Sequence, residues 1–422
     1  MGRHLLVALP LVALITGGAA CYRVHPVDCA ITCDEGHCPE GLTCGDDDFC
    51  HTASHTADCQ AIGPDASCQV QAVALMAGFK QSCLLASDGS VWCWGLNESG
   101  EQGDVAARNR LRATRITSWP SAQALDGGKG HSCALDPAGA VRCAGLDADG
   151  QLGDGPADTS GTGAFVQATA LAEASEVAAG GFFTCARVAS ALWCWGAGDS
   201  GQLGNGASAP QDAPSSVVGI ADATSVAAGF RHACAVRTGG AVSCWGYGWL
   251  GNNVPAPGGS NMPVLVATAD YVQVASGLDA SCGLKTDGTV WCWGWNNDAQ
   301  CTGTDIEVLA PLSTGLAGAT EVALGAHHSC ARLEGGTVWC WGENDFGQIG
   351  DGAASGTLVT APTQVMGLDD ATALDLGEDY ACALRGSGDV VCWGNNDEGQ
   401  LGDGSEEARS APVPLSFTCA SD

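Results

Sequence analysis

The sequence predicts an all-β protein: a seven-bladed β-propeller of four-stranded blades, preceded by a small cysteine-rich module. Three observations carry that expectation. One unit of near-fifty-residue period recurs seven times, each copy holds four short strand candidates and no amphipathic helix, and each keeps a cysteine pair nine or ten positions apart.

Residues 1–20, "MGRHLLVALPLVALITGGAA", read as an export signal. Arg3 and His4 form the polar start, Leu5 to Ile15 the apolar core, and Gly18-Ala19-Ala20 the small-residue exit. That core is shorter than the roughly 20 residues a membrane span needs. Cys21 follows at once, where a bacterial lipoprotein signal places its acylated cysteine, although Gly18 stands where such signals usually carry Leu. Two outcomes stay open: a lipid-tethered protein of the outer membrane or cell surface, or cleavage after Ala20 and a soluble periplasmic or extracellular protein. The only membrane contact expected is the N-terminal lipid.

The 24 cysteines exceed what a reducing cytosol supports and indicate an oxidising compartment. A formal charge of −31 argues against nucleic acid, whose phosphates it would repel. It suits a solvated surface or cationic partners.

Residues 21–67 form the cysteine-rich module, centred on "CDEGHCPEGLTCGDDDFC". It is too short to bury a core and depends on bridges. Its histidines His37, His51 and His55 allow a zinc reading, but export favours disulfides. Asp46-Asp47-Asp48 lacks calcium-loop spacing.

Residues 68–422 carry the repeats. The seventh unit, "CALRGSGDVVCWGNNDEGQLGDG" from Cys382, is typical, and first cysteines follow one another at 50, 52, 49, 48, 48 and 52 residues. In the sixth unit the four strands are "TEVALG", "SCARL", "TVWCWG" and "PTQVMG". A solenoid is the alternative architecture, though solenoids favour shorter repeats or helices.

Hairpin geometry explains the cysteine spacing. With Ser87-Asp88-Gly89 as a three-residue loop and Gly89 left-handed, Ala86 faces Ser90, Leu85 faces Val91, and Cys83 faces Cys93. Gly139, Gly240, Gly288, Gly336 and Gly388 hold the same place. The third unit is one residue shorter and fits a two-residue loop at Ala189-Ser190. Directly opposed strand residues lie within reach of a disulfide. The predicted bridges are Cys83–Cys93, Cys133–Cys143, Cys185–Cys194, Cys234–Cys244, Cys282–Cys292, Cys330–Cys340 and Cys382–Cys392. Trp92 and Trp94 flank Cys93 and point to the opposite face, which reads as core packing between blades. Cys301 replaces the leucine of the "GQLG" stretch and reads as a buried small apolar residue. Cys68 and Cys419 bracket the segments that closing the ring must bring together, so a Cys68–Cys419 latch is expected.

The pattern G-x4-C-A-L-x3-G-x-V-x-C-W-G-x-N-x2-G-Q-L-G-D-G, repeated in phase over residues 70–415, resembles the regulator-of-chromosome-condensation (alpha-tubulin-suppressor-like) repeat family. The resemblance implies a seven-bladed propeller. Read with the leader, it implies an exported bacterial lipoprotein member. The family's nuclear role with a small GTPase and chromatin is excluded by an export signal, and near-constant spacing leaves no room for a wedge-like exchange insertion. An exported relative that inhibits β-lactamases implies that extracellular binding has a precedent.

A four-residue connection joins the first-strand glycine to each first cysteine: "FKQS", "KGHS", "GFFT", "FRHA", "LDAS", "AHHS" and "EDYA". Seven equivalent turns in a closed ring share one face. The candidate partner-binding rim is therefore Phe79, Lys80, Lys129, His131, Phe183, Arg231, His232, Asp279, His328, Asp379 and Tyr380, a mixed-polarity set suited to a protein surface. His131, His232 and His328 recur at one position and raise a three-histidine metal site; a structural role beside the blade is the preferred reading, so neither metal nor cofactor is expected. No G-x-S-x-G elbow, H-E-x-x-H or phosphate loop occurs. The functional expectation is a monomeric macromolecule-binding module for a protein or cell-surface polymer. The alternative is a secreted propeller enzyme acting on a polysaccharide or other polymer.

Overall fold

Each cysteine hairpin takes the form its loop residues demand. In the computed structural model, which describes residues 42–44, 50–52, 70–104, 108–119, 121–156, 161–255, 258–354 and 356–418, Gly89 is left-handed at φ 83° and Ala86 N donates to Ser90 O at 2.8 Å. The register then pairs Leu85 with Val91 and Cys83 with Cys93. Counting inward from the bonded Ala86–Ser90 pair puts the cysteines at a non-hydrogen-bonded pair, the narrow step of an antiparallel ladder. Their Cα atoms are 4.1 Å apart, and all seven predicted pairs are disulfides at 4.0–4.1 Å. The shorter third hairpin turns at Ala189 (φ 53°) and pairs Val188 with Ala191, which keeps Cys185 opposite Cys194.

The chain divides into two units, Met1–Asp65 with Ala420–Asp422, and Ala66–Cys419. In the first, Leu42–Cys44 pairs antiparallel with Cys50–Thr52. The leader, Cys21 and the Cys68–Cys419 latch fall outside the described residues.

The second unit is a ring of seven antiparallel sheets, each with strands in chain order. First strands are innermost: Ala72–Ala77, Ala124–Gly127, Ala174–Ala179, Ala223–Ala228, Tyr271–Ser276, Ala319–Leu324 and Ala371–Leu376. They line a central channel of about 500 Å³. The "APVPLSF" stretch at residues 411–417 divides between two strands. Arg409–Pro414 stays as the outer strand of blade seven, while Phe417–Thr418 crosses to run parallel to Ala113-Thr114 as a fifth strand of blade one. Leu415 N donates to Val390 O at 3.3 Å and Ser416 N to Gly402 O at 2.8 Å, so the chain stays tied to blade seven up to the crossing. The ring closes from the inside as well, where Ala72 N donates to Gly388 O at 3.1 Å.

Blades adhere through the motif that repeats. Six of the seven cysteine pairs pack in one apolar cluster with the indole of the following blade: Cys133–Cys143 with Trp195, Cys185–Cys194 with Trp245, Cys234–Cys244 with Trp293, Cys282–Cys292 with Trp341, Cys330–Cys340 with Trp393, and Cys382–Cys392 with Trp94. A sulfur pair against an indole buries apolar area and adds a polarisable contact. Most of these indoles also donate backward: Trp94 Nε1 to Gln400 O at 2.7 Å, Trp195 to Gln151 O at 3.0 Å, and Trp245, Trp341 and Trp393 to the matching glutamine carbonyls at 2.9 Å.

Blade two is the exception that tests the rule, because Ala144 stands where the indole belongs. Trp119 fills the vacancy from a different segment. It joins the Cys83–Cys93 cluster and donates to Gln102 O at 2.8 Å, replacing both the packing and the hydrogen bond. Trp119→Ala should therefore lower unfolding stability by about 3–5 kcal/mol, read as a drop in urea midpoint at constant slope. A change under about 1 kcal/mol would mean the blade one–two seam does not depend on that indole.

Candidate functional site

The residue that opens each connection (Phe79, Lys129, Gly181, Phe230, Leu278, Ala326 and Glu378) borders the channel, so these seven ring its mouth. Close approach of adjacent blades builds that ring. A Cβ on Gly229 would stand 2.5 Å from Gly277 O, and one on Gly377 2.6 Å from Gly78 O, so the backbone of the next blade requires glycine before six of the seven connections, Gly78 being the exception. Backbone bonds run blade to blade around the mouth, among them Phe230 N to Gly277 O at 3.0 Å, Ala326 N to Glu378 O at 2.9 Å and Glu378 N to Phe79 O at 2.9 Å.

One half of the mouth is aromatic and cationic. Lys129 Nζ lies 4.9, 5.5 and 5.2 Å from the ring centroids of Phe79, Phe182 and Phe230, which come from three different blades. Phe79 and Phe230 approach to 6.0 Å and Phe182 and Phe230 to 5.7 Å. An ammonium faced by three rings is held electrostatically while its stem covers apolar surface. Arg231 extends the patch outward, 4.5 Å from the ring of Tyr247, which is 39% exposed. Trp249 and Trp295 continue it, with centroids 4.6 Å apart.

The other half is acidic. His327 Nδ1 meets Asp298 Oδ2 at 2.9 Å, and Glu343, Glu378 and Asp379 lie around it. The Asp298 hydrogen bond, helped by the neighbouring carboxylates, raises His327 to about 9. Burial lifts Asp379 to about 7 and raises Glu343 and Glu378. Lys80 reaches Glu378 at 3.8 Å across the boundary between the halves.

Six of the sequence-nominated rim residues stand at this surface, half-buried: Phe79, Lys80, Lys129, Arg231, Asp279 and Asp379. The other five do not. His131, Phe183, His232, His328 and Tyr380 are 0–5% exposed. Each begins a second strand and is wedged between blades. His131 Nε2 bonds Thr184 Oγ1 of the next blade at 3.0 Å, and His232 Nε2 bonds Ser281 Oγ at 2.8 Å. Tyr380 Oη donates to Gln81 O at 2.8 Å across the ring closure. The three histidines thus sit in three separate interblade slots. Burial holds His131 and His232 down at about 4 and His328 at about 3. Phe182, Phe230 and His327, the neighbours of those buried residues, are the ones that face the mouth.

Among the described residues, three carboxylates line the channel below Glu378 at its mouth, and one of them, Glu321, pairs with Arg332 Nε at 2.8 Å. Asp375 accepts from Ala77 N at 2.8 Å and Leu376 N at 3.0 Å; Asp126 accepts from Ala179 N at 2.9 Å and Gly127 N at 2.8 Å. Each spans to the inner strand of the following blade, so both act as struts. Burial raises Asp126 to about 6 and, with Asp126 nearby, Asp375 to about 8. Cys301 is buried and unpaired, its thiol pushed well above the usual range by burial, which makes it an inert core residue.

Residues 167–421 match the RCC1-like domain, and residues 72–101 match the regulator of chromosome condensation (RCC1) repeat. The chain belongs to the RCC1-like family. Its fold is shared with human WBSCR16, at TM-score 0.69 and 18% identity over 77% of this chain and 94% of that one. Prp20p from Saccharomyces cerevisiae gives 0.66 and 19% over 76% and 83%. The ectodomain of the Physcomitrella patens receptor kinase CR4 gives 0.50 and 19% over 76% and 72%. At these identities the likeness is one of fold. No curated protein matches the sequence.

Proposed function

We propose that this RCC1-like propeller is an exported, envelope-tethered or secreted module that binds a protein partner through the mouth of its channel. The observation that carries the reading is the two-sided mouth: an aromatic patch topped by Lys129 and Arg231 on one side, and Glu343, Glu378 and Asp379 on the other. Half-buried aromatics beside unlike charges give an anchor and a fixed orientation, as protein interfaces use them. The fold has binding precedents, since Prp20p is described with binding to Gsp1p and histones. A related propeller in a plant receptor-kinase ectodomain supports an extracellular setting. The leader and the cysteine-rich composition support the same compartment for this chain. An enzymatic reading draws little from the channel, where Asp126 and Asp375 already serve the backbone and Glu321 is paired with Arg332.

The test is crosslinking capture from intact cells with wild type, a Lys129→Glu/Arg231→Glu variant, and a control altered on the outer strands at Met262. A partner kept by the control and lost, by at least tenfold in recovery, with the rim variant is expected. Recovery that does not depend on the rim would remove the mouth as the binding surface.

A further inference from the structure

We propose that His327, Glu343 and Asp379 form a binding site for a divalent transition-metal ion on the acidic side of the channel mouth. The three residues come from the connection of blade six, the segment after its third strand Val338–Gly342, and the connection of blade seven. Each offers a ligand atom, and these atoms all lie within 4.8 Å of one another. Glu343 N donates to His327 O at 3.0 Å, which fixes two of the ligand-bearing segments to each other.

Two further features favour an ion. Asp298 Oδ2 takes the Nδ1 side of His327, which leaves Nε2 as the nitrogen that ligates once the ion displaces its proton. A carboxylate behind a ligating histidine sets its tautomer and orientation in metal sites. Asp379 Oδ1 is an inaccessible oxygen that accepts no hydrogen bond. A buried carboxylate oxygen without a donor is costly, and a cation is the partner that removes that cost. Glu343 is lightly held, its carboxylate accepting one hydrogen bond among the described residues, from Gln348 Nε2 at 3.4 Å.

The donor set selects the class of ion. One imidazole and two carboxylates suit Zn²⁺ or Mn²⁺, whereas Ca²⁺ and Mg²⁺ prefer oxygen alone. Tetrahedral ligands about 2.1 Å from zinc sit roughly 3.4 Å apart, so binding draws the three half-buried side chains inward by rotation. Three protein ligands leave coordination positions open toward solvent at the rim.

The experiment titrates Zn²⁺ calorimetrically into the metal-stripped, oxidised full chain, with Ca²⁺ as control. Wild type should bind one more Zn²⁺ than Glu343→Gln or Asp379→Asn, and Asp298→Asn should bind it about 10–100-fold more weakly. Comparing stoichiometries separates this site from any uptake by cysteine and histidine near the N-terminus. Equal stoichiometry and affinity in wild type and both ligand variants, with unchanged near-ultraviolet dichroism, would overturn the proposal. A second measurement needs no variant: Co²⁺ added to the unaltered protein should give d–d bands of a nitrogen and oxygen site. Bands of thiolate type alone, or none, would overturn it equally.

Discussion

Replacing His131, His232 and His328 together by glutamine should remove an acid-dependent loss of stability on the order of 10 kcal/mol between pH 7 and pH 4. In the folded protein, burial depresses these imidazoles from 6.5 to about 4, 4 and 3. A depressed histidine contributes stability that is complete above its unfolded value. That contribution is lost as pH falls through 6.5, because the unfolded chain takes up the proton first. One pKa unit is worth about 1.4 kcal/mol, so the first two lose roughly 3 kcal/mol each and His328 somewhat more. Asp126 and Asp375 run the other way. Their folded values are raised, to about 6 and about 8, so their contribution is complete in acid and lost as pH rises through those values. The wild-type profile is therefore a small difference between opposed slopes, and only the comparison with the variant isolates the histidines. Glutamine is the replacement the ring itself uses: Gln81 fills the same slot in blade one and donates to Gly128 O at 2.9 Å. Urea unfolding at both pH values measures the effect. A difference that is the same in wild type and variant would show that these histidines do not titrate on unfolding.

The same slot shows where sequence reading succeeds and where it slips. The cysteine hairpins were legible because every determinant is local, from the left-handed glycine through the alternation of strand faces to the loop length. The blade count followed from their repetition. Alternation also placed His131, Phe183, His232, His328 and Tyr380, two residues before Cys133, Cys185, Cys234, Cys330 and Cys382, on the disulfide face. That face packs against the next blade, so these side chains had to be inside. Treating the four connection residues as one exposed turn overlooked that the strand begins at the third. Lys129 over three rings was not legible at all, because Phe79, Phe182 and Phe230 meet it only once blades one to four curve around a common axis. Trp119 was hidden for a related reason. Nothing local marks it as the stand-in for the indole absent at Ala144, and only the neighbouring blade's Gln102 carbonyl does so.

Reduction of the unfolded chain should abolish refolding, while the folded chain should resist the same reductant. The fourteen bridged cysteines among the described residues are 0% exposed, so no thiolate can reach a sulfur until a blade opens. Closing a loop of about eleven residues stabilises by roughly 2.8 kcal/mol in the loop-entropy model, and seven such bridges reach on the order of 19 kcal/mol. A domain's net stability is typically about 5–15 kcal/mol, so a chain without them lies on the unfolded side of the balance. The deficit is distributed. Each bridge also forms the surface on which the next blade's indole packs, so losing one loosens two blades. Incubation with dithiothreitol, alkylation and mass measurement should show no modification at these fourteen positions without denaturant, and complete modification in urea. Dilution from reducing urea should then give no native near-ultraviolet dichroism, whereas dilution from oxidising urea should restore it. Recovery of the native spectrum in the reduced state would mean that burial between blades holds the ring unaided. The oxidising compartment would then no longer be a requirement of this fold.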